Sequence, residues 1–218
     1  MLVQRLTQQL GKPTHTVWGW MVKKFLETNG FLEASAVKLC DIQPENVVLE
    51  LGFGPGLGLQ EAVRRLTQPA GKLYGRDISE YMYNVASEKL RAEIQTGKVN
   101  LFWGSVDQIP LEDRVVDRVY HCNCYFFWPD LRAGCGEIRR VMKPGALMVT
   151  ALQKLIATGL LKGTKWQPEP YMEALLETGF VNVRMEDQRI DGETFQATFA
   201  SAKDVCSLNC RVLPALLA

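Results

Sequence analysis

A chain of 218 residues is enough for one α/β domain with a sizeable core and short for two. Hydrophobic residues at 47% and charged residues at 22% are globular values, and no apolar run approaches the roughly 18 residues of a membrane span, so neither a disordered nor a membrane-spanning chain fits. Lys+Arg 25 against Asp+Glu 24 leaves a net charge of +1 with no basic block, which argues against a nucleic-acid partner.

The first 26 residues carry Arg5, Lys12, Lys23 and Lys24 and no acid before Glu27. This is read as an ordinary helical segment, with a mitochondrial leader as the alternative. Residues 1–36 are expected to form one or two helices outside the main unit and to act as a lid. The domain proper is expected over 37–203, and 204–218 is a tail with no assigned structure. Six cysteines, Cys40, Cys122, Cys124, Cys135, Cys206 and Cys210, lack the density of a secreted disulfide scaffold. They are expected to be free thiols in a reducing compartment, the cytoplasm being the simplest.

From about Asn46 short β-rich runs alternate with longer helical ones, the pattern of a parallel sheet with crossover helices. Strands are predicted at Val47–Leu51, Leu73–Arg76, Val99–Trp103, Arg118–Cys122, Leu147–Ala151, Val181–Met185 and Phe195–Phe199. One helix starts by about Leu59. A second is capped by Ser79 and carries an apolar face of Met82, Ala86, Leu90 and Ile94. A third runs from near Asp130 until Lys143-Pro144-Gly145 stops it, and a fourth covers 169–178 and ends at Gly179. The last two strands have no crossover helix between them and are expected as an antiparallel hairpin through Asp191-Gly192 at the sheet edge.

The strongest chemical signal is Glu50-Leu51-Gly52-Phe53-Gly54-Pro55-Gly56, where an apolar strand runs into a glycine-rich turn and then a helix. Glycines there let the backbone approach a ligand and leave the N–H groups of the helix start pointing at it. The dinucleotide fingerprint needs a further glycine at 57 or 59, and both are leucine. A second signal is Asp77, 21 residues after Gly56 at the end of the second strand and followed by Ile78. A carboxylate there can accept hydrogen bonds from both ribose hydroxyls; the competing role is to help cap the helix at Ser79. A third is Gly104-Ser105-Val106-Asp107 with Val116-Asp117 beyond it, and a fourth is His121-Cys122-Asn123-Cys124-Tyr125-Phe126-Phe127-Trp128-Pro129-Asp130 after the fourth strand. Ligands bind beyond the carboxyl ends of parallel strands, so this last stretch should face the reacting groups.

Gly52-x-Gly54-x-Gly56 resembles the first motif of class I S-adenosylmethionine (SAM)-dependent methyltransferases. Residues 45–150 as a whole resemble the type-11 methyltransferases, the group with the ubiquinone and menaquinone C-methyltransferases. Residues Glu137 to Gly145 match that group's helix end, and Gly19-Trp20 and Asn29 upstream look most like a subfamily of it that brings no substrate with it. The resemblance implies a Rossmann-like α/β fold: a seven-stranded, mostly parallel sheet with helices on both faces and an antiparallel strand at one edge. It implies SAM as cofactor, with the loop Gly52, Phe53, Gly54, Pro55 and Gly56 on its amino-acid part and Glu50 orienting the ammonium directly or through water. Asp77 and Ile78 would hold the ribose, and Ser105 and Val106 the adenine; Ser105 replaces the family's frequent Asp.

Asn123 and Tyr125 are candidates for orienting the acceptor, and His121 for a catalytic base. No metal site is expected. The acceptor is expected to be a small, largely apolar or aromatic molecule, walled by Tyr125 to Trp128 together with Trp18 and Trp20. No nucleic acid or membrane partner is expected, and the protein should be a monomer or homodimer. Three other readings carry weight. Arg76 could meet the 2′-phosphate of a nicotinamide cofactor in an NADP-dependent reductase. Cys122, Cys124 and Cys135 could trap arsenic, although their spacing does not match the arsenic methyltransferases. A methyltransferase fold can also serve as a non-catalytic binding protein.

Overall fold

The β-rich runs become strands where the alternation places them, and the sheet extends several of them. In the computed structural model, which describes residues 10–27, 30–153 and 167–203, the strands are β1 (Val47–Leu51), β2 (Lys72–Asp77), β3 (Val99–Trp103), β4 (Val116–Cys122), β5 (Met142–Gln153), β6 (Phe180–Ile190) and β7 (Glu193–Ala202). Their order is β3-β2-β1-β4-β5-β7-β6. The five strands from β3 to β5 are parallel, and β7 runs antiparallel to both of its neighbours. The hairpin turns at Asp191 and Gly192, both at positive φ, and leaves β6 outermost.

The helices are α1 (Val17–Glu27), α2 (Phe31–Leu39), α3 (Leu57–Val63), α4 (Glu80–Lys89), α5 (Arg91–Gln95), α6 (Leu131–Val141) and α7 (Pro168–Glu177). The single helix expected after Ser79 divides at Leu90, whose φ of −108° and ψ of 23° leave the helical region, although Met82, Ala86 and Leu90 are all buried as the periodicity requires. Asp130 caps α6 by accepting the Arg132 and Ala133 N–H groups. That helix stops at Val141, before the proline, because the Arg114 and Val115 N–H groups take the Arg140 and Val141 carbonyls.

Side chains alternate across the sheet, so each face has its own core. On one face Leu49, Leu51, Val119 and Met148 pack with Cys135 and Ile138 of α6 and Tyr171 and Leu175 of α7. On the other, Val48, Leu73 and Tyr120 pack with Leu32, Ala36 and Val37 of α2, Leu59 and Ala62 of α3 and Ala86 of α4. Helix α2 thus spans residue 37 and lies against the sheet. Among the described residues no helix is long and apolar enough to cross a membrane. Residues 1–9, Asn29, Cys206, Cys210 and the tail 204–218 lie outside the described residues.

The chain leaves β1 toward β2 on one side while β4 joins it on the other, so a crevice opens at the carboxyl ends of these strands. A cavity occupies that place.

Candidate functional site

The glycine turn joins β1 to α3 at the floor of the cavity. Gly54 has φ +51°, and a Cβ there would meet nothing nearer than Leu26 Cδ1 at 3.8 Å, so a side chain would occupy ligand space. Its N–H donates to Asp77 Oδ2 at 2.9 Å. A Cβ at Gly52 would lie 2.9 Å from Cys124 Cβ, so this glycine is required by the close passage of the segment after β4. Gly56 faces elsewhere: a Cβ there would press on Ala86 Cβ at 3.1 Å, so it serves the packing of α3 on α4 and does not line the cavity.

Asp77 is buried at the end of β2. One carboxylate oxygen accepts the Ser79 N–H at 2.7 Å and the other the Gly54 N–H, so each keeps a lone pair for the cavity it lines. Burial pushes its pKa up to about 6 against the pull of those two donors. Capping of α4 falls to Ser79 itself, whose Oγ accepts the Met82 N–H. Arg76 is spent on the neighbouring loop: its guanidinium donates to the Ser105 and Trp103 carbonyls, each at 3.0 Å. It clamps the chain after β3 where a 2′-phosphate reading needs it free. The Glu137–Arg140 pair of α6 clamps the same loop further along, Glu137 accepting the Ile109 N–H and Arg140 donating to the Ile109 and Leu111 carbonyls.

Of the residues expected at the cofactor, Gly52, Phe53, Gly54, Pro55, Asp77, Ile78, Ser105 and Val106 line the cavity, together with Asn123. Ser105 Oγ is buried and has no hydrogen-bond partner. Glu50 is not a wall. It points to the α2–α3 face beneath Gly58, where a Cβ would come within 2.3 Å of its carboxylate, and it accepts the Tyr120 hydroxyl at 2.8 Å. Burial holds its pKa well above the ordinary range, with the charges of Glu33 and Asp77 adding to the rise.

Of the three expected residues at the end of β4, two are buried away from the cavity. His121 is fully buried on the α6–α7 face. Its Nε2 lies 2.8 Å from the Tyr171 hydroxyl and 2.9 Å from Thr150 Oγ1, and its Nδ1 lies 3.4 Å from Cys124 Sγ. Burial lowers its pKa to about 3, so the ring is neutral and belongs to a core network that meets the cavity wall through Cys124. Tyr125 is also buried, stacked on Tyr171 with centroids 4.3 Å apart, because the short 3₁₀ turn Tyr125–Phe127 folds it inward. Asn123 does line the cavity, at φ +46°, while its Oδ1 accepts the Gln153 N–H at 3.0 Å. Trp18 and Trp20 face solvent and do not wall the cavity.

Leu10, Gly11, Pro13, Leu26 and Glu33, which the sequence did not single out, wall the cavity from the N-terminal side, and Cys122 at the end of β4, with Cys124, Phe127, Trp128 and Pro129 after it, comes from the stretch expected to face the reacting groups. The four described cysteines, these two with Cys40 and Cys135, are free thiols. Glu33 is the most informative of the walls. Its Oε2 is buried without a partner, and burial raises its pKa to about 7. Its spacing from Ala36, Val37 and Cys40 put it on the inner face of α2, which was the available signal. Glu33, Glu50 and Asp77 are thus three desolvated carboxyls around one loop. Such an arrangement is relieved by a cationic ligand, and SAM carries both an ammonium and a sulfonium.

A family model described as a methyltransferase domain matches residues 48–145, the stretch from β1 through the start of β5. The Bacillus subtilis methyltransferase YdaC is 29% identical over 146 residues, 67% of this chain and 77% of YdaC. A demethylmenaquinone methyltransferase of Bacillus cereus is 30% identical over 116 residues, 52% of this chain but 47% of that enzyme, so the likeness spans about half of the longer relative. Among solved structures, a SAM-dependent methyltransferase from Aquifex aeolicus superposes with a TM-score of 0.65 at 23% identity, covering 83% of this chain and 96% of that one.

Proposed function

We propose that this chain is a class I SAM-dependent methyltransferase and that it methylates a small, largely apolar or aromatic molecule and not a nucleic acid or an intact protein. The observation that carries the reading is the roof of the cavity. Leu10, Gly11 and Pro13 close over the same space that the glycine loop and Asp77 floor, and Phe127 and Trp128 wall it. A roofed, mostly apolar cavity suits a molecule that enters whole.

In this reading Asp77 accepts the two ribose hydroxyls, Ser105 Oγ and Val106 meet the adenine, and the backbone from Gly52 to Pro55 carries the amino-acid part. Glu33, whose free oxygen already faces ligand space, takes the ammonium, while Glu50 acts from behind the loop. The bound cofactor supplies a methyl group already activated on sulfur for in-line displacement. The protein's task is then alignment and exclusion of water, which can supply on the order of 7–11 kcal/mol of the barrier. If the acceptor atom is a thiol, neutral amine or enolate, no strong base is required and no proton transfer is asked of His121. The free thiols support a reducing compartment such as the cytoplasm.

A methyl-transfer screen with labelled SAM tests the reading. Transfer to small apolar or aromatic compounds is expected; robust transfer to RNA or intact proteins, with none to small molecules, overturns it. Calorimetry on the same protein should show binding of SAM and of its demethylated product and none of NADPH.

A further inference from the structure

Helix α1 is inverted relative to an ordinary surface helix. Gly19 and Val22 face the protein, and a Cβ at Gly19 would strike the Thr14 carbonyl oxygen at 1.9 Å, so the helix is seated tightly on the turn before it. With Gly19 inward, its neighbours Trp18 and Trp20 splay outward, 39% and 53% exposed, beside Val17 at 73% and Met21 at 50%. A contiguous apolar surface of this kind marks an interaction site.

The charges beside it point to the partner. Lys23 and Lys24 both reach Glu27, and Lys89 of α4 is close enough that the two lysines push its pKa down, after burial, the largest cause. Three lysines therefore share one acid at the edge of an aromatic face. Tryptophan and methionine flanked by lysine is the composition of a helix lying in a lipid headgroup layer. A second copy of this chain fits less well, because it would gather the excess lysine charge of both copies at one contact.

We propose that α1 docks the protein on an anionic phospholipid surface. This replaces the expectation that the chain has no membrane partner, and it is independent of the acceptor's identity. Leu26 of the same helix lines the cavity, so docking turns the cavity's N-terminal wall toward the bilayer. An apolar acceptor could then enter from the lipid phase.

Vesicle flotation with the full chain tests the proposal, using phosphatidylcholine alone and phosphatidylcholine mixed with phosphatidylglycerol. Binding is expected to the mixed vesicles and to weaken with salt. A Trp20→Glu/Met21→Glu variant should lose at least about tenfold in partitioning. A Lys23→Gln/Lys24→Gln variant, which leaves the apolar face intact, should lose roughly fivefold per lysine on anionic vesicles only. Both should keep wild-type SAM affinity, so failure here is separable from failure of the methyltransferase reading. Absence of flotation, or flotation unchanged in both variants, overturns the proposal. So does a lipid-free dimer by light scattering that Trp20→Glu/Met21→Glu dissociates while neither protein floats, since the face would then be a contact between copies.

Discussion

The Ser79 hydroxyl donates to the Pro13 carbonyl at 2.5 Å while its oxygen accepts the Met82 N–H at 3.2 Å, so the residue that caps α4 also latches the N-terminal segment over the cavity. Ser79→Ala removes both bonds. Stability should fall by about 1 kcal/mol from the lost cap, and amide hydrogens of residues 14–20 should exchange faster. Mass-spectrometric exchange reads the second effect directly. A drop in stability with unchanged exchange in that segment would reduce Ser79 to a cap alone.

Asp77→Ala should weaken SAM binding by about 1.5–3 kcal/mol, the range for hydrogen bonds to a charged group. The carboxyl must be ionised to accept both hydroxyls, and in the free protein it titrates at about 6. Affinity should therefore rise from about pH 5 in the wild type, and in the variant only the later rise near pH 7 that belongs to Glu33 should remain. Calorimetry across this range checks it, and equal affinities for the two proteins would assign Asp77 to the loop and helix start.

Glu33→Gln should stabilise the ligand-free protein in one pH window. A carboxyl raised from 4.5 to about 7 contributes stability that is fully present below the lower value and is lost as pH rises through the upper one. Glutamine cannot ionise and escapes that loss. The variant should match the wild type near pH 4.5 and exceed it above pH 7 by a few kcal/mol, with ~3 kcal/mol as the upper bound. Denaturant melts at the two ends of the range measure this. The same variant should bind SAM more weakly, since the ammonium loses its charged partner; unaltered affinity would remove Glu33 from the cofactor site.

His121→Leu should cost about 1–3 kcal/mol, because it strips a partner from the buried Tyr171 and Thr150 hydroxyls. Residual methyl transfer should keep the wild-type pH profile. A limb near the ordinary imidazole range that disappears in the variant would return His121 to catalysis.

Much of this molecule is written locally. The strand cores, the Ser79 and Asp130 caps and the hairpin at Asp191-Gly192 follow from periodicity and turn chemistry over a few residues. The Gly52–Gly56 turn and Asp77 were legible for the same reason: a close backbone approach needs glycine, and a carboxylate at a strand end has few other uses. Lengths were less so, since β6 extends well beyond its β-rich core through pairing with β7, and β5 reaches back to Met142, which pairs with Val116 of β4. What tertiary structure alone decided is the side each residue serves. On β4, His121 and Cys122 differ by one position and point to opposite faces, and no local pattern says that α7 brings Tyr171 to one while α2 brings Glu33 to the other. Trp18 and Trp20 face solvent because Gly19 is seated on the Thr14 turn, and Glu33 faces the cavity because α2 packs on strands and helices that follow it in the chain, so burial depends on those partners and not on the residue type.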